Sequence, residues 1–133
     1  MTDFEEIQNL KARYCQAADS STQDREAAIA RLMALFTPDV TADYGFGEMD
    51  EALGICTLLT DKIGGGSEWM VHNLHSPCIA VEGDTASADW TVNVRMKRRG
   101  SGQVDFVFGR YHDEFRRTDG VWRIRRVVFD RTE

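Results

Sequence analysis

With 133 residues, 42% apolar and 29% charged, the chain has the size and composition of one globular domain, residues 1–133, with a core and room for a pocket. Those fractions exclude intrinsic disorder, and no apolar run approaches the ~20 residues that a bilayer-spanning helix needs. The net charge of −6 argues against nucleic acid as a partner.

The charge is uneven: residues 1–66 hold 5 Lys and Arg against 12 Asp and Glu, and residues 67–133 hold 11 against 10. The basic groups of the second half, such as Lys97, Arg98 and Arg99, are interleaved with acids and read as solvated strand faces. The opening "MTDFEEIQNL" lacks the basic and apolar regions of a signal peptide. Cys15, Cys56 and Cys78 are odd in number and far apart, so no disulfide framework is expected, and each reads as a small buried apolar residue. A cytoplasmic protein with no membrane partner is the expectation.

In chain order, Thr2 followed by Glu5 is a capping-box signature and opens a helix running to about Ala18. Ile7, Leu10, Tyr14 and Ala17 form its apolar stripe. Ser21 and Asp24 mark a second start, with a helix over 27–36 that Pro38 closes. "DVTADYGFG" reads as a short strand and turn. A third helix is expected over 48–63, turning Leu53, Cys56, Leu59 or Thr60, and Ile63 inward, and "GGG" ends it. The period then changes to two. Ile79 and Val81 alternate, and Ala86, Ala88, Trp90, Val92, Val94 and Met96 share one face of a strand. "RRGSGQ" is a hairpin turn before the long strand "VDFVFGRYHDEFRR", where Gly109 suggests a bulge that shifts the inward parity from even to odd. "TDG" leads into a last strand over 121–129. Helices followed by long antiparallel strands make an α+β domain: a curved sheet wrapped around three N-terminal helices, with a cavity between sheet and first helix.

The motifs exclude several chemistries. There is no P-loop, no dinucleotide fingerprint, no GxSxG, no CxxC and no HExxH. His72 and His75, in HxxH at strand spacing, face opposite sides of a strand, so a shared metal is not expected. His112 reads as a surface residue. Tyr14 and Asp19 lie about 140° apart on an ideal helix and meet in one pocket only if Asp19 lies beyond the last turn. Taken alone, Asp19 reads as a solvated turn residue and Tyr14 as a core tyrosine with its hydroxyl satisfied.

The order of "IQNLKARYCQAAD", "LFTPDV", "VHNLHSPCIAVEGDTASADW", "GRYHDEF" and "DGVWRI" resembles the SnoaL-like branch of the nuclear transport factor 2-like superfamily over nearly the whole chain. The resemblance implies a cone-shaped, mixed but mainly antiparallel sheet of cystatin-like type, and assembly as a homodimer or homotrimer. The first stretch is similar to bile-acid dehydratases and hexachlorocyclohexane dehydrochlorinases, and more distantly to scytalone dehydratase. In those enzymes a helix-one aspartate and a histidine near the first long strand form a dyad. Matched motif to motif, they fall on Asp19 and His72, and the dehydratases' tyrosine falls on Tyr14. The implied activity is that of a lyase or isomerase that abstracts a proton from a hydrophobic, cyclic small molecule, with no metal or organic cofactor. Val92, Val94, Val107, Tyr111 and Val127 are the expected pocket wall. Two features depart from the pattern. Val94 stands where the bile-acid dehydratases carry a further acid, four residues after a tryptophan, and the chain ends soon after its last strand at "DRTE". The resemblance extends to the small subunits of ring-hydroxylating dioxygenases, which leaves a non-catalytic binding or accessory role as the alternative.

Overall fold

The computed structural model describes residues 1–132. Helix α1 spans Asp3–Ser20 and opens on a complete capping box: Glu5 N donates to Thr2 Oγ1 at 3.2 Å, and Thr2 N donates to Glu5 Oε1 at 3.0 Å. Its stripe of Ile7, Leu10, Tyr14 and Ala17 is buried, as the periodicity requires. The helix runs two residues beyond Ala18, so Asp19 sits within its last turn. Helix α2, Arg25–Leu35, is capped by Asp24, whose carboxylate accepts from Ala27 N at 3.1 Å. It ends before the proline: strand β1, Phe36–Asp43, already contains Pro38. The pairing of β1 shifts register between Phe36 and Thr41, where a residue without an N–H cannot serve the ladder.

The third helix is shorter than its apolar pattern suggests. Glu48–Met49 forms a short strand, β2, hydrogen-bonded back to β1, and α3 covers only Ala52–Thr57. A π-helical turn, Leu58–Gly64, follows. Cys56, Leu59 and Thr60 are buried, but Leu53 is exposed, because the late start changes which face meets the core.

The remaining strands are β3 (Ser67–Glu82), β4 (Thr85–Arg98), β5 (Val104–Thr118) and β6 (Val121–Arg131). They form one six-stranded sheet in the order β2-β1-β6-β5-β4-β3, antiparallel throughout except where β1 runs parallel to β6. With three helices this is the α+β cone of the nuclear transport factor 2-like fold. Ala86, Ala88, Trp90, Val92, Val94 and Met96 are all buried on the concave face. Gly109 makes no bulge: the β4–β5 register is unbroken from Thr85↔Arg116 to Lys97↔Val104. From Gly109 to Phe115 the odd positions are the buried ones, and the register break lies between Glu114 and Phe115, against β6. Glycine is needed at 109 for a tertiary reason. A Cβ there would lie 2.6 Å from the Asp130 carbonyl oxygen and 2.7 Å from the Phe129 ring. Cys15 and Cys56 are buried, whereas Cys78 is exposed.

One charged pair is fully inside the core. Lys11 Nζ lies 3.1 Å from Asp113 Oδ2, and neither side chain has any exposure. Trp90 Nε1 donates to the same carboxylate at 2.8 Å. The ammonium also sits over the rings of Tyr111 and Tyr14, 3.6 and 3.9 Å from their centroids. Burial pushes the Asp113 carboxyl upward, while Lys11 and the hydrogen bonds from Lys11 and Trp90 pull the other way.

Candidate active site

Strand β3 is the outer edge of the sheet on the side that α1 crosses, and it carries His72. An edge strand has N–H groups with no ladder partner. Asp19 takes one of them: its Oδ2 accepts from His72 N at 3.1 Å, while its Oδ1 lies 2.6 Å from His72 Nδ1. One carboxylate thus fixes both the backbone and the ring of the same residue, across 53 positions of sequence. The His72 side chain is 5% exposed and that of Asp19 22%. With Nδ1 occupied by a carboxylate, the neutral ring carries its proton there, and Nε2 is left with a free lone pair.

His72 pairs in register with Val94, and Val94 with Val107, so the three form one row across the concave face. This row forms part of the wall of a cavity of about 440 Å³. Of the residues expected there, Val94, Val107 and Tyr111 line it together with His72. Val92 and Val127 are buried in the core and do not reach it. Leu59 and Ile63 from the π-helical turn, Met96 from β4 and Phe129 from β6 complete its apolar body.

Tyr14 does not line the cavity. It is fully buried, and its hydroxyl lies 2.5 Å from that of Tyr44, which does line it. The angular separation of Tyr14 and Asp19 on α1 explains this: the aspartate faces the edge strand and the tyrosine faces the core. Burial, as the leading cause, raises both hydroxyls well above the ordinary tyrosine range, so both remain protonated donors. Tyr44 sits in "DYGFG", which reads from sequence only as a turn. Gly45 and Gly47 adopt φ of +94° and +107°, and Phe46 between them is exposed at the cavity mouth. Three cationic side chains, Lys62, Arg98 and Arg131, also line the cavity.

A shallower cleft of about 230 Å³ lies on the other side of the dyad, between α1 and β3. Cys15 lines it, but burial pushes its thiol up to about 12, so it is no nucleophile at neutral pH. His75 pairs in register with Thr91, on the face opposite His72, and its Nε2 lies 3.1 Å from Asn93 Nδ2. His112 is on the surface, 2.7 Å from Asp89.

Residues 1–128 match the sequence pattern of the SnoaL-like domain family. The chain belongs to the SnoaL-like family. Among curated proteins no sequence match was found. Three solved structures show how the SnoaL-like chain compares. A candidate aromatic ring hydroxylase from Novosphingobium aromaticivorans is 27% identical with a TM-score of 0.81, over 100% of this chain and 93% of that one. A candidate scytalone dehydratase from the same organism is 20% identical with a TM-score of 0.85, over 98% and 85%. The hexachlorocyclohexane dehydrochlorinase LinA type 3 from Novosphingobium barchaimii is 18% identical with a TM-score of 0.81, over 97% and 86%. At the last two identities the likeness is one of fold.

Proposed function

We propose that the protein is a small lyase or isomerase in which His72, oriented by Asp19, abstracts a proton from carbon next to a carbonyl in an apolar, ring-sized substrate. The observation that carries this reading is the Nδ1–Asp19 contact of 2.6 Å on the wall of an apolar cavity. His72 Nε2 takes the proton, and the electron pair of the broken C–H bond moves onto the carbonyl oxygen as an enolate. The carboxylate of Asp19 stabilises the imidazolium that results. Tyr44, neutral and backed by the Tyr14 hydroxyl, donates to the enolate oxygen. The enolate then collapses in one of two ways. Either the imidazolium returns its proton at a different carbon, which shifts a double bond, or a β-substituent leaves with its bonding electrons. These steps balance without a metal or an organic cofactor. Val94, in line with His72, offers no proton to a departing hydroxyl, so isomerisation, or loss of a group that leaves as a stable anion, suits the cavity better than dehydration. The fold likeness to a dehydrochlorinase and a candidate dehydratase supports a reaction of this kind.

The test is deuterium wash-in. Cyclic ketones incubated with the protein in D2O should exchange α-protons faster than in buffer, as read by NMR. Tyr44→Phe should slow that exchange by roughly 10², and Tyr14→Phe, which acts only through Tyr44, should slow it less. Equal rates for wild type and Tyr44→Phe would remove Tyr44 from the mechanism.

A binding or accessory role is the second reading, supported by the resemblance to the small subunits of ring-hydroxylating dioxygenases. Stable copurification with a larger catalytic chain, and no exchange by the isolated protein, would establish it instead.

The chain assembles as a homodimer or homotrimer through the convex face of its sheet. There Trp69, Val71, Val104, Phe106 and Phe108 are each 39–48% exposed. Val71, Arg95 and Phe106 lie in one row, with the Arg95 guanidinium 4.6 Å from the Phe106 centroid. An apolar patch of this kind is costly to leave in water. Light scattering should therefore give two or three times 15.1 kDa, and Phe106→Glu with Phe108→Glu should return the mass to one chain. A wild type that is already monomeric would contradict the interface.

A further inference from the structure

We infer that the substrate is an organic anion: an apolar ring system against His72, with a carboxylate or phosphate ester held by Lys62, Arg98 and Arg131. This rests on the cavity serving as the substrate site. The chain has 22 acidic residues against 16 Lys and Arg. Even so, among the described residues no Asp or Glu lines the main cavity, while three cations do. The bias is local and opposes the net charge of the molecule.

The cations differ in how they are held. Lys62 projects from the π-helical turn, and its acidic neighbour Asp61 is already engaged by Arg25. Among the described residues Lys62 itself has no ion-pair partner, so its charge is available to a ligand. Among the described residues Arg98 is anchored through one side-chain nitrogen only. Its Nε donates to Asp105 Oδ2 at 2.8 Å, and Asp105 in turn accepts from Gln103 Nε2 at 2.9 Å. That leaves the terminal nitrogens of a positioned guanidinium, the group best suited to a planar oxyanion. Arg131 enters from the end of β6, in register with Gly109. The row of His72, Val94 and Val107 holds no Lys or Arg, so a ligand's anionic group is directed to the cations and its apolar body to the dyad.

Calorimetry on the purified full chain with 1-naphthoate, 1-naphthyl phosphate and the neutral 1-naphthamide tests this. At least one anion should bind about tenfold more tightly than the amide, and 0.5 M salt should narrow the gap. The better of the two anions identifies the acidic group. Lys62→Met and Lys62→Gln, both at an exposed site, should each reduce the preference several-fold, while His72→Asn should retain it. Equal or tighter binding of the amide, failure of both anions to bind, or loss of the preference in His72→Asn but not in the Lys62 variants would overturn the inference. The result is independent of catalysis: a wild type that prefers anions but exchanges no α-protons would refute only the proposed reaction. One that exchanges protons with no preference for anions would refute only the anion site.

Discussion

His72→Ala is expected to reduce α-proton exchange by about 10³ while leaving ligand binding within a few-fold of wild type, since removal of a general base typically costs 10²–10⁴. Asp19→Asn should be nearly as damaging, for a specific reason. Asp19 accepts two hydrogen bonds, one from the His72 backbone and one from its ring. An asparagine has only one acceptor oxygen. If that oxygen keeps the backbone N–H, its NH2 faces Nδ1, so Nδ1 must accept and the imidazole proton moves to Nε2. The ring is then intact and well placed but in the wrong tautomer to take a proton. If the asparagine turns the other way, its NH2 opposes the backbone donor and the edge strand shifts. Either way kcat should fall by about 10² or more, with KM changed far less. Asp19→Asn retaining more than a third of wild-type exchange would show that the carboxylate is only structural.

The second large effect concerns stability. Asp113→Asn should cost about 3–5 kcal/mol, because it strands the Lys11 ammonium in the core without its counter-charge. Lys11→Met should cost a similar amount by leaving the Asp113 carboxylate with only the Trp90 donor. The pH dependence separates this account from simple loss of packing. In Lys11→Met the burial that raises the Asp113 carboxyl is no longer opposed by the ammonium, so the folded state binds more protons than the unfolded state between the unfolded value of about 3.9 and the raised folded one. Stability of that variant should therefore fall as pH rises through that window, over a wider range than when the pair is intact. Replacing both partners with apolar residues, Lys11→Met with Asp113→Leu, should recover much of the loss. Urea melts across pH check all three. A cost below about 1 kcal/mol for Asp113→Asn would mean that the pair is not energetically coupled. Because Lys11 underlies the ring of Tyr111, and Tyr111 lines the cavity, the same variants should also disturb the cavity floor.

Legibility in the sequence followed the range of the interaction. The face of β4 could be read residue by residue, since alternation is a local property of an extended chain with one side in a core. The capping box of α1 was equally plain, and so was the stripe containing Tyr14. The segment after Glu48 was harder. Its apolar spacing suits an ordinary helix, yet the chain first makes a strand and later widens into a π-helical turn, neither of which changes residue spacing in a recognisable way. Gly109 reads as a bulge from sequence because a glycine in a strand has few local reasons to be there. Its actual reason is the approach of Asp130 and Phe129 from β6, which no local pattern encodes.

The site divides along the same line. Helix geometry alone made Asp19 a turn residue, and only the family resemblance linked it with His72. The contact depends on α1 crossing the free edge of β3, a matter of topology. The core reading of Tyr14 came from its stripe and agrees with its burial. Tyr44 gives no signal in the sequence because a tyrosine beside glycines reads as a loop, and the loop's path over the cavity is set by β1 and β2. Lys62 was hidden by the helix-to-π transition, and Arg98 within a basic run that looked like a solvated strand end.

In the proposed mechanism Asp19 holds His72 in the tautomer that can act as a base. The most direct measurement is multiple-bond 15N–1H NMR of the imidazoles, at a pH where His72 is neutral. The predicted result is a protonated Nδ1 and an unprotonated Nε2 for His72 in wild type, reversed in Asp19→Asn. A His72 protonated at Nε2 in the wild type would contradict the account.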